Sequence, residues 1–212
     1  MSTQYALVLN SGSSSIKFQV IDPKADSTEP PFVSGIVEKI GEKSGHIKIQ
    51  TETTKMEDTR PILSHSVGLE RAFGMMTLLG VGPQDLNLAA VGHRVVHGGD
   101  LFDGPVLIDD QALSQMEALI TLAPLHQPQA LRLVRAITRL RPEIRQTASF
   151  DTAFHRTQAE TVRRFALPRQ LYQEGIKRYG FHGLSYRSIA NQLLKNWPEQ
   201  APGKVVVAHL GS

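Results

Sequence analysis

Through the first fifty positions, apolar and polar residues alternate with a period of two. In Ile16-Lys17-Phe18-Gln19-Val20, the residues Ile16, Phe18 and Val20 share one face, and Lys17 and Gln19 the other. That is the pattern of a strand with one buried side. Strands are expected over 5–9, 16–21, 32–40 and 46–51. Residues 22–31, interrupted by Pro23, Pro30 and Pro31, read as a surface loop, and 41–45 as a turn between antiparallel strands. Beyond residue 64 the period becomes helical. Val67, Leu69, Phe73, Met76 and Leu79 fall mostly one helical turn apart over 65–79. A strand is expected over 88–96. Two helices follow, one over 109–122 and one over 128–140. The first has Asp109 or Asp110 as cap and Leu113, Met116 and Ile120 on one face; the second has Leu131, Val134 and Ile137 inward. A short strand over 146–151, a helix over 185–197 closed by Pro198, and a buried strand over 204–210 complete the expected elements.

Antiparallel strands first and α/β crossovers afterwards is the order of a ribonuclease-H-like α/β domain: a mixed five-stranded sheet with flanking helices. Residues 1–150 are expected to form this N-terminal domain. Residues 151–212 supply its remainder and the start of a second, truncated domain. No internal repeat or low-complexity segment interrupts the chain. It stops directly after the expected strand at 204–210, so a piece of a longer protein is expected, because natural termini usually lie outside the core.

The composition narrows the function classes. A chain of 212 residues holds one large domain or one and a half small ones. Its 41% hydrophobic and 20% charged residues argue against disorder. A net charge of +3 allows an anionic small ligand without pointing to nucleic acid. The series Arg132, Arg135, Arg139, Arg141 and Arg145 lacks the interleaved aromatics of a single-strand binder, and reads as a solvated face or a subunit contact. The absence of cysteine excludes disulfides and thiolate metal sites and is compatible with a reducing compartment. No leader-like segment and no apolar run approaching roughly 18 residues is present, so a soluble, cytoplasmic protein with no membrane partner is expected.

Four segments carry candidate chemistry. Asn10-Ser11-Gly12-Ser13-Ser14-Ser15-Ile16-Lys17 lies between two strands. Its small residues can expose backbone N–H groups and hydroxyls to an anion, and Lys17 adds a point charge. It is neither a Walker A loop nor a G-x-G-x-x-G turn. A phosphate-binding hairpin and an ordinary Ser/Gly turn are both compatible with it. Gly92-His93-Arg94-Val95-Val96-His97-Gly98-Gly99 ends a strand where α/β sheets bind ligands. Arg94 there can hold a carboxylate or phosphate, or make a structural ion pair, while His93 and His97 read as structural. Asp151, at the end of the next strand, is a site acid or a helix cap. Arg178-Tyr179-Gly180-Phe181-His182-Gly183 places His182 between glycines, where the backbone can approach a ligand and the imidazole can stabilise phosphoryl charge, or simply fill a turn. Ala123-Pro124-Leu125-His126-Gln127-Pro128 reads alone as a rigid linker.

These segments, in this order and together with residues 7–9, Phe150-Asp151-Thr152-Ala153-Phe154-His155 and His209-Leu210-Gly211, resemble the acetate kinase family across nearly the whole chain. The resemblance implies the actin-like ATPase fold and reversible phosphoryl transfer from ATP to acetate, giving acetyl phosphate and ADP. Mg²⁺ or Mn²⁺ is the implied cofactor, and a homodimer the implied assembly at full length. It implies metal-linked Asn10 and phosphate contacts from Ser13, Ser15 and Lys17. Arg94 would bind the carboxylate or the phosphoryl group, Asp151 would be the catalytic acidic residue, and His182 the transition-state stabiliser. Val96, Leu125 and Phe181 would form the methyl pocket, and His209, Leu210 and Gly211 the start of a second nucleotide loop. The family continues His-Leu-Gly-Asn-Gly, whereas Ser212 stands at the asparagine position. The resemblance thus leaves the family's C-terminal half outside these residues, and weak or no turnover by them alone is expected. Propionate or butyrate kinase activity, with Val96 setting the pocket length, and a ligand-binding fragment without turnover are the competing readings.

Overall fold

The first two strands, β1 (Tyr5–Ser11) and β2 (Ile16–Ile21), pair antiparallel around the Gly-Ser turn. They begin a meander continued by β3 (Val33–Glu38), β4 (His46–Thr51) and β5 (Lys55–Thr59). The computed structural model describes residues 3–26 and 29–210. On the other side of β1 lies β6 (Leu88–Val95), parallel to it. Next comes β8 (Arg145–Phe150), parallel to β6, and then the two-residue β7 (Val106–Leu107), antiparallel to β8. The sheet order is β5-β4-β3-β2-β1-β6-β8-β7. This is the mixed α/β sheet expected, with eight strands rather than five. The two strands that no expected element covers, β5 and β7, are the edges of the sheet. Lys55-Met56-Glu57-Asp58-Thr59 has no apolar side to advertise it, and β7 is too short for any period to show.

The helices are α1 (His65–Leu78), α2 (Asp110–Ala118), α3 (Gln127–Leu140), the short α4 (Glu160–Arg163) and α5 (Arg169–Gln173), and α6 (Gly183–Asn196). Ser64 caps α1, its hydroxyl accepting from Val67 N–H at 3.3 Å. Asp109, not Asp110, caps α2 by accepting from Ala112 N–H at 2.7 Å. The helix expected over 109–122 ends at Ala118 and tightens into a 3₁₀ turn over Ile120–Leu122.

Strand alternation decides what each face carries. On one face Leu7, Leu9, Ile16, Phe18, Val20, Val33, Val37, Ile47 and Ile49 pack with Leu69, Phe73 and Met76 of α1 and Leu133 and Ile137 of α3. The opposite face carries Val8, Asn10, Lys17, Gln19, Ser34, Ile36, Lys48 and Gln50 around a cleft of about 530 Å³. A second core, with Val95, Met116, Leu131 and the stacked Phe102 and Phe150, fixes the ends of β6 and β8. Those ends are where ligands sit in open α/β sheets.

Residues 204–210 do not form the expected strand. They pair with neither edge of the sheet, and Val206 is 96% exposed. An apolar run becomes a strand only where a ladder partner exists, and no described residue offers one.

His93 lies in the helix-side core and donates from Nε2 to Gln146 Oε1 at 2.8 Å. Gln146 in turn donates to Thr138 Oγ1 at 2.8 Å. Burial pushes the His93 pKa down to about 4, against the opposing pull of that hydrogen bond. His65 and His97 are also pushed down, chiefly by burial. A depressed histidine pKa means that the unfolded chain binds the proton first. Stability is therefore full above the unfolded value of 6.5 and is lost as pH falls from 6.5 toward 4. Urea titrations between those pH values should show a loss of about 3 kcal/mol from His93. His93→Gln should flatten that dependence.

Candidate active site

Parallel register sets Asn10 of β1 beside Arg94 of β6, and Arg94 beside Ser149 of β8. Two residues beyond Ser149 the chain leaves the sheet at Asp151, whose N–H donates to Val95 O at 3.1 Å. The Asp151 carboxylate is thereby buried, 1% exposed, against the Arg94 guanidinium. Arg94 Nε donates to both Asp151 oxygens, at 3.1 and 3.2 Å. Its Nη2 reaches Oδ2 at 2.6 Å, and its Nη1 reaches Asn10 Oδ1 at 2.9 Å. The arginine thus makes the structural ion pair that was one of its two readings. Guanidinium has five N–H donors, so one on each of Nη1 and Nη2 remains for a ligand. Arg94 keeps about a third of its side-chain surface exposed.

One cavity of about 450 Å³ opens on this pair, lined by Arg94, Val96, Leu122, Ala123, Pro124, Leu125, His126, Asp151, Phe181 and His182. The lining mixes apolar side chains (Val96, Leu122, Leu125, Phe181) with the charged pair and two histidines. Leu122, Ala123, Pro124 and His126 join the wall because the α2–α3 connection folds over the strand ends. By its own residues that segment read as a linker; only the family resemblance pointed to Leu125 in a pocket.

Several contacts fix Phe181 and His182 in the lining. His155 Nε2 donates to Phe181 O at 2.9 Å, and Phe181 meets the edge of His97 at 5.7 Å between centroids. His97 is itself buried and accepts Gly99 N–H on Nδ1 at 2.9 Å. Gly183 N–H donates to Asp151 O at 2.9 Å, and a Cβ at Gly183 would lie 2.1 Å from that oxygen. Only glycine lets α6 start this close to Asp151. The residue before it, His182, takes a left-handed backbone (φ 57°) and stacks on His209 at 4.3 Å.

The structure therefore gathers Arg94, Val96, Leu125, Asp151, Phe181 and His182 around one cavity and joins Asn10 to it through Arg94. Lys17 lines the neighbouring cleft on the polar sheet face, which includes Asn10 and shares Arg94 with the cavity. Ser13 and Ser15 sit on the β1–β2 turn. His209 reaches the site only through its stacking on His182, and Leu210 is 92% exposed. Gly211 lies outside the described residues. Among the described residues no group of three or more His, Cys, Asp or Glu side chains could hold a metal by itself.

The model of the acetokinase family matches residues 5–212. The chain is 57% identical to an acetate kinase of Corynebacterium jeikeium over 213 aligned positions, covering 99% of this chain and 53% of that protein. It is 46% identical to an acetate kinase of Corynebacterium aurimucosum, covering 98% of this chain and 52% of that protein. Among solved structures it is similar to a propionate kinase from Francisella tularensis (TM-score 0.82, 35% identity, 91% of this chain and 48% of that one). It is also similar to the acetate kinase of Porphyromonas gingivalis (TM-score 0.80, 35% identity, 91% and 48%). The chain spans about half the length of the relatives it matches. Within that span the match is continuous from the first strand through the site just described, and the chain belongs to the acetokinase family.

Proposed function

We propose that the protein containing this chain is an acetate kinase, which moves a phosphoryl group reversibly between ATP and acetate. The observation that carries the reading is the cavity at the strand ends, whose lining is both apolar and charged. Its apolar lining of Val96, Leu125 and Phe181 suits a methyl group, and the free N–H donors of Arg94 suit a carboxylate or a phosphoryl oxygen. In the forward direction an acetate oxygen forms the new bond to the γ-phosphorus. The bond from that phosphorus to the β,γ-bridging oxygen breaks, and ADP leaves with that electron pair. Acetate, with an ordinary carboxyl pKa of about 4, is already ionised at pH 7, so no base need remove a proton. Catalysis is then positioning and charge stabilisation. Arg94 binds the acceptor or the transferring group, Asp151 holds Arg94 in place, and His182 meets charge developing on the phosphoryl oxygens.

Ser13, Ser15 and Lys17 receive the phosphate tail in this reading, and His209, Leu210 and Gly211 begin the second nucleotide contact. The Asn10 amide oxygen and the Asp151 carboxylate are hard oxygen donors. Such a pair fits an Mg²⁺ or Mn²⁺ ion that keeps most of its shell as water and phosphate oxygens. When bound, such an ion neutralises phosphate charge. Residues 151–212 are read as the junction to a second domain, and the full-length assembly as a homodimer. ATP as donor makes the cytoplasm the compartment this reading requires.

A second reading, propionate kinase, is favoured by the similarity to the Francisella tularensis enzyme and by a cavity with room beyond a two-carbon acid.

Trapping acetyl phosphate with hydroxylamine tests the activity. These 212 residues alone should form little or none, and a full-length protein carrying them should form it readily. In that full-length protein Arg94→Ala should raise the acetate KM and lower kcat, by roughly a hundredfold or more in kcat/KM. An unchanged acetate dependence would remove Arg94 from substrate binding. Val96→Ala should shift the propionate-to-acetate ratio of kcat/KM upward by roughly tenfold. An unmoved ratio would mean that Val96 does not bound the acyl chain.

A further inference from the structure

The turn between β1 and β2 is held from behind at three points. Gly12 N–H donates to Ser15 O at 2.8 Å, and Ile40 N–H donates to Ser14 O at 3.0 Å. The third tie comes from a side chain: His65 Nε2 lies 2.9 Å from Gly12 O. A carbonyl can only accept, so His65 donates there. In a trans peptide the C=O of one residue and the N–H of the next point in opposite directions, and the chain has no cis peptide among its described residues. Pulling Gly12 C=O inward therefore turns Ser13 N–H outward. Pulling Ser14 C=O inward does the same for Ser15 N–H. The amides of Ser13, Ser14 and Ser15 have no acceptor among the described residues, and Ser13 and Ser14 are exposed.

We propose that His65 is the positioning residue of this loop: its bond to Gly12 O aims Ser13 N–H at a bound anion, making the turn a preformed phosphate cradle. The inference rests on the kinase reading for the identity of the anion, a nucleotide phosphate, but not for the geometry. His65 suits the task because it cannot move. It is buried, 5% exposed, in the first turn of α1. That helix packs so tightly on β3 that a Cβ at Gly68 would meet Val37 Cγ1 at 2.9 Å. Burial lowers the His65 pKa, the Gly12 bond pulls it back up, and the charge of Arg132 lowers it again. The net result is a neutral ring whose single proton sits on Nε2. A preorganised donor of this kind contributes to binding because the loop loses no freedom when the anion arrives.

The test compares His65→Gln, whose amide nitrogen can reach the Nε2 position, with His65→Met, similar in volume but without a donor. Binding of ADP, pyrophosphate and acetate to the chain is followed by amide NMR, together with the thermal midpoint. The expected result for His65→Met is a roughly ten- to hundredfold loss of pyrophosphate and ADP affinity, a displaced Ser13 amide signal and unchanged acetate binding. His65→Gln should stay within roughly threefold of the parent. Equal losses in the two variants, or parent-like anion binding in His65→Met, would overturn the inference. Should His65→Met fail to fold, His65→Asn serves instead, because its donor sits at the Nδ1 position; parent-like binding by that variant counts against the inference. If the parent chain binds pyrophosphate at Ser13 but not ADP, the nucleotide reading fails and the role of His65 stands. If neither anion moves the Ser13 to Ser15 amides, the cradle itself is refuted.

Discussion

A buried carboxylate must find a cation, and much of the site is arranged by how this chain meets that demand. Asp151 leaves the sheet at the end of β8 with almost no contact with water, and the Arg94 guanidinium covers it with a three-bond fork. Removing one partner of such a pair typically costs about 3–5 kcal/mol, because the other is left charged and unpaired. The same guanidinium reaches Asn10 across β1, so one side chain ties the ends of β1, β6 and β8 to each other. The Asp151 backbone then carries the restraint outward: its N–H is held by β6, and its carbonyl receives the first amide of α6. Phe181 and His182, just before that helix, are thereby brought into the lining of the cavity that Arg94 shares.

The polar site residues that the strands themselves supply, Asn10, Lys17 and Arg94, stand on the sheet face that α1 and α3 do not cover. That division follows from alternation. Leu7, Leu9, Ile16, Phe18 and Val20 are drawn to the helices, so Val8, Asn10, Lys17 and Gln19 must point the other way. Arg94 falls on the same side because it pairs with Asn10, while its neighbour His93 falls into the core and is held neutral there. Two adjacent residues of one strand thus take opposite roles from pleating alone. The helix side also serves the site, since α1 presents His65 to the carbonyl of Gly12.

The apolar part of the cavity lining is built differently. Its residues come from connections rather than strands: the turn after α2, the end of β6 and the segment before α6. Loops hold a shape only when their backbone groups are satisfied. Here Gln127 donates to His97 O and Met116 O and accepts from His97 N–H, while His155 holds Phe181 O. Two glycines make the close approaches possible. A Cβ at Gly180 would meet His155 Cγ at 2.3 Å, and one at Gly183 would meet Asp151 O at 2.1 Å. The bracketing of His182 by glycine and aromatic residues therefore has a steric cause at both ends.

Much of this was legible in the residues themselves. The two-residue period placed β1 to β4 and said which face is buried. The helical period placed α1, α3 and α6, and the Ser/Gly turn, Arg94, Asp151 and His182 stood out as strand-end or glycine-flanked groups. Local pattern records whether a side chain is turned inward or outward, but not which distant residue it meets. The partners of Arg94 lie 57 and 84 positions away, and Gly12 O is held from 53 positions away. The polar edge strand β5 had no periodic signal, and the Ala123–His126 connection read by its own residues as a linker, with only the family resemblance drawing Leu125 to a pocket. The apolar run at 204–210 shows the converse: its residues favour a strand, but without a ladder partner they form none and are mostly exposed. The sequence by itself determined the faces of the sheet and the residue types at its ends. Only the tertiary structure decided their pairing, because pairing depends on register and crossover, which bring together positions that no local period connects.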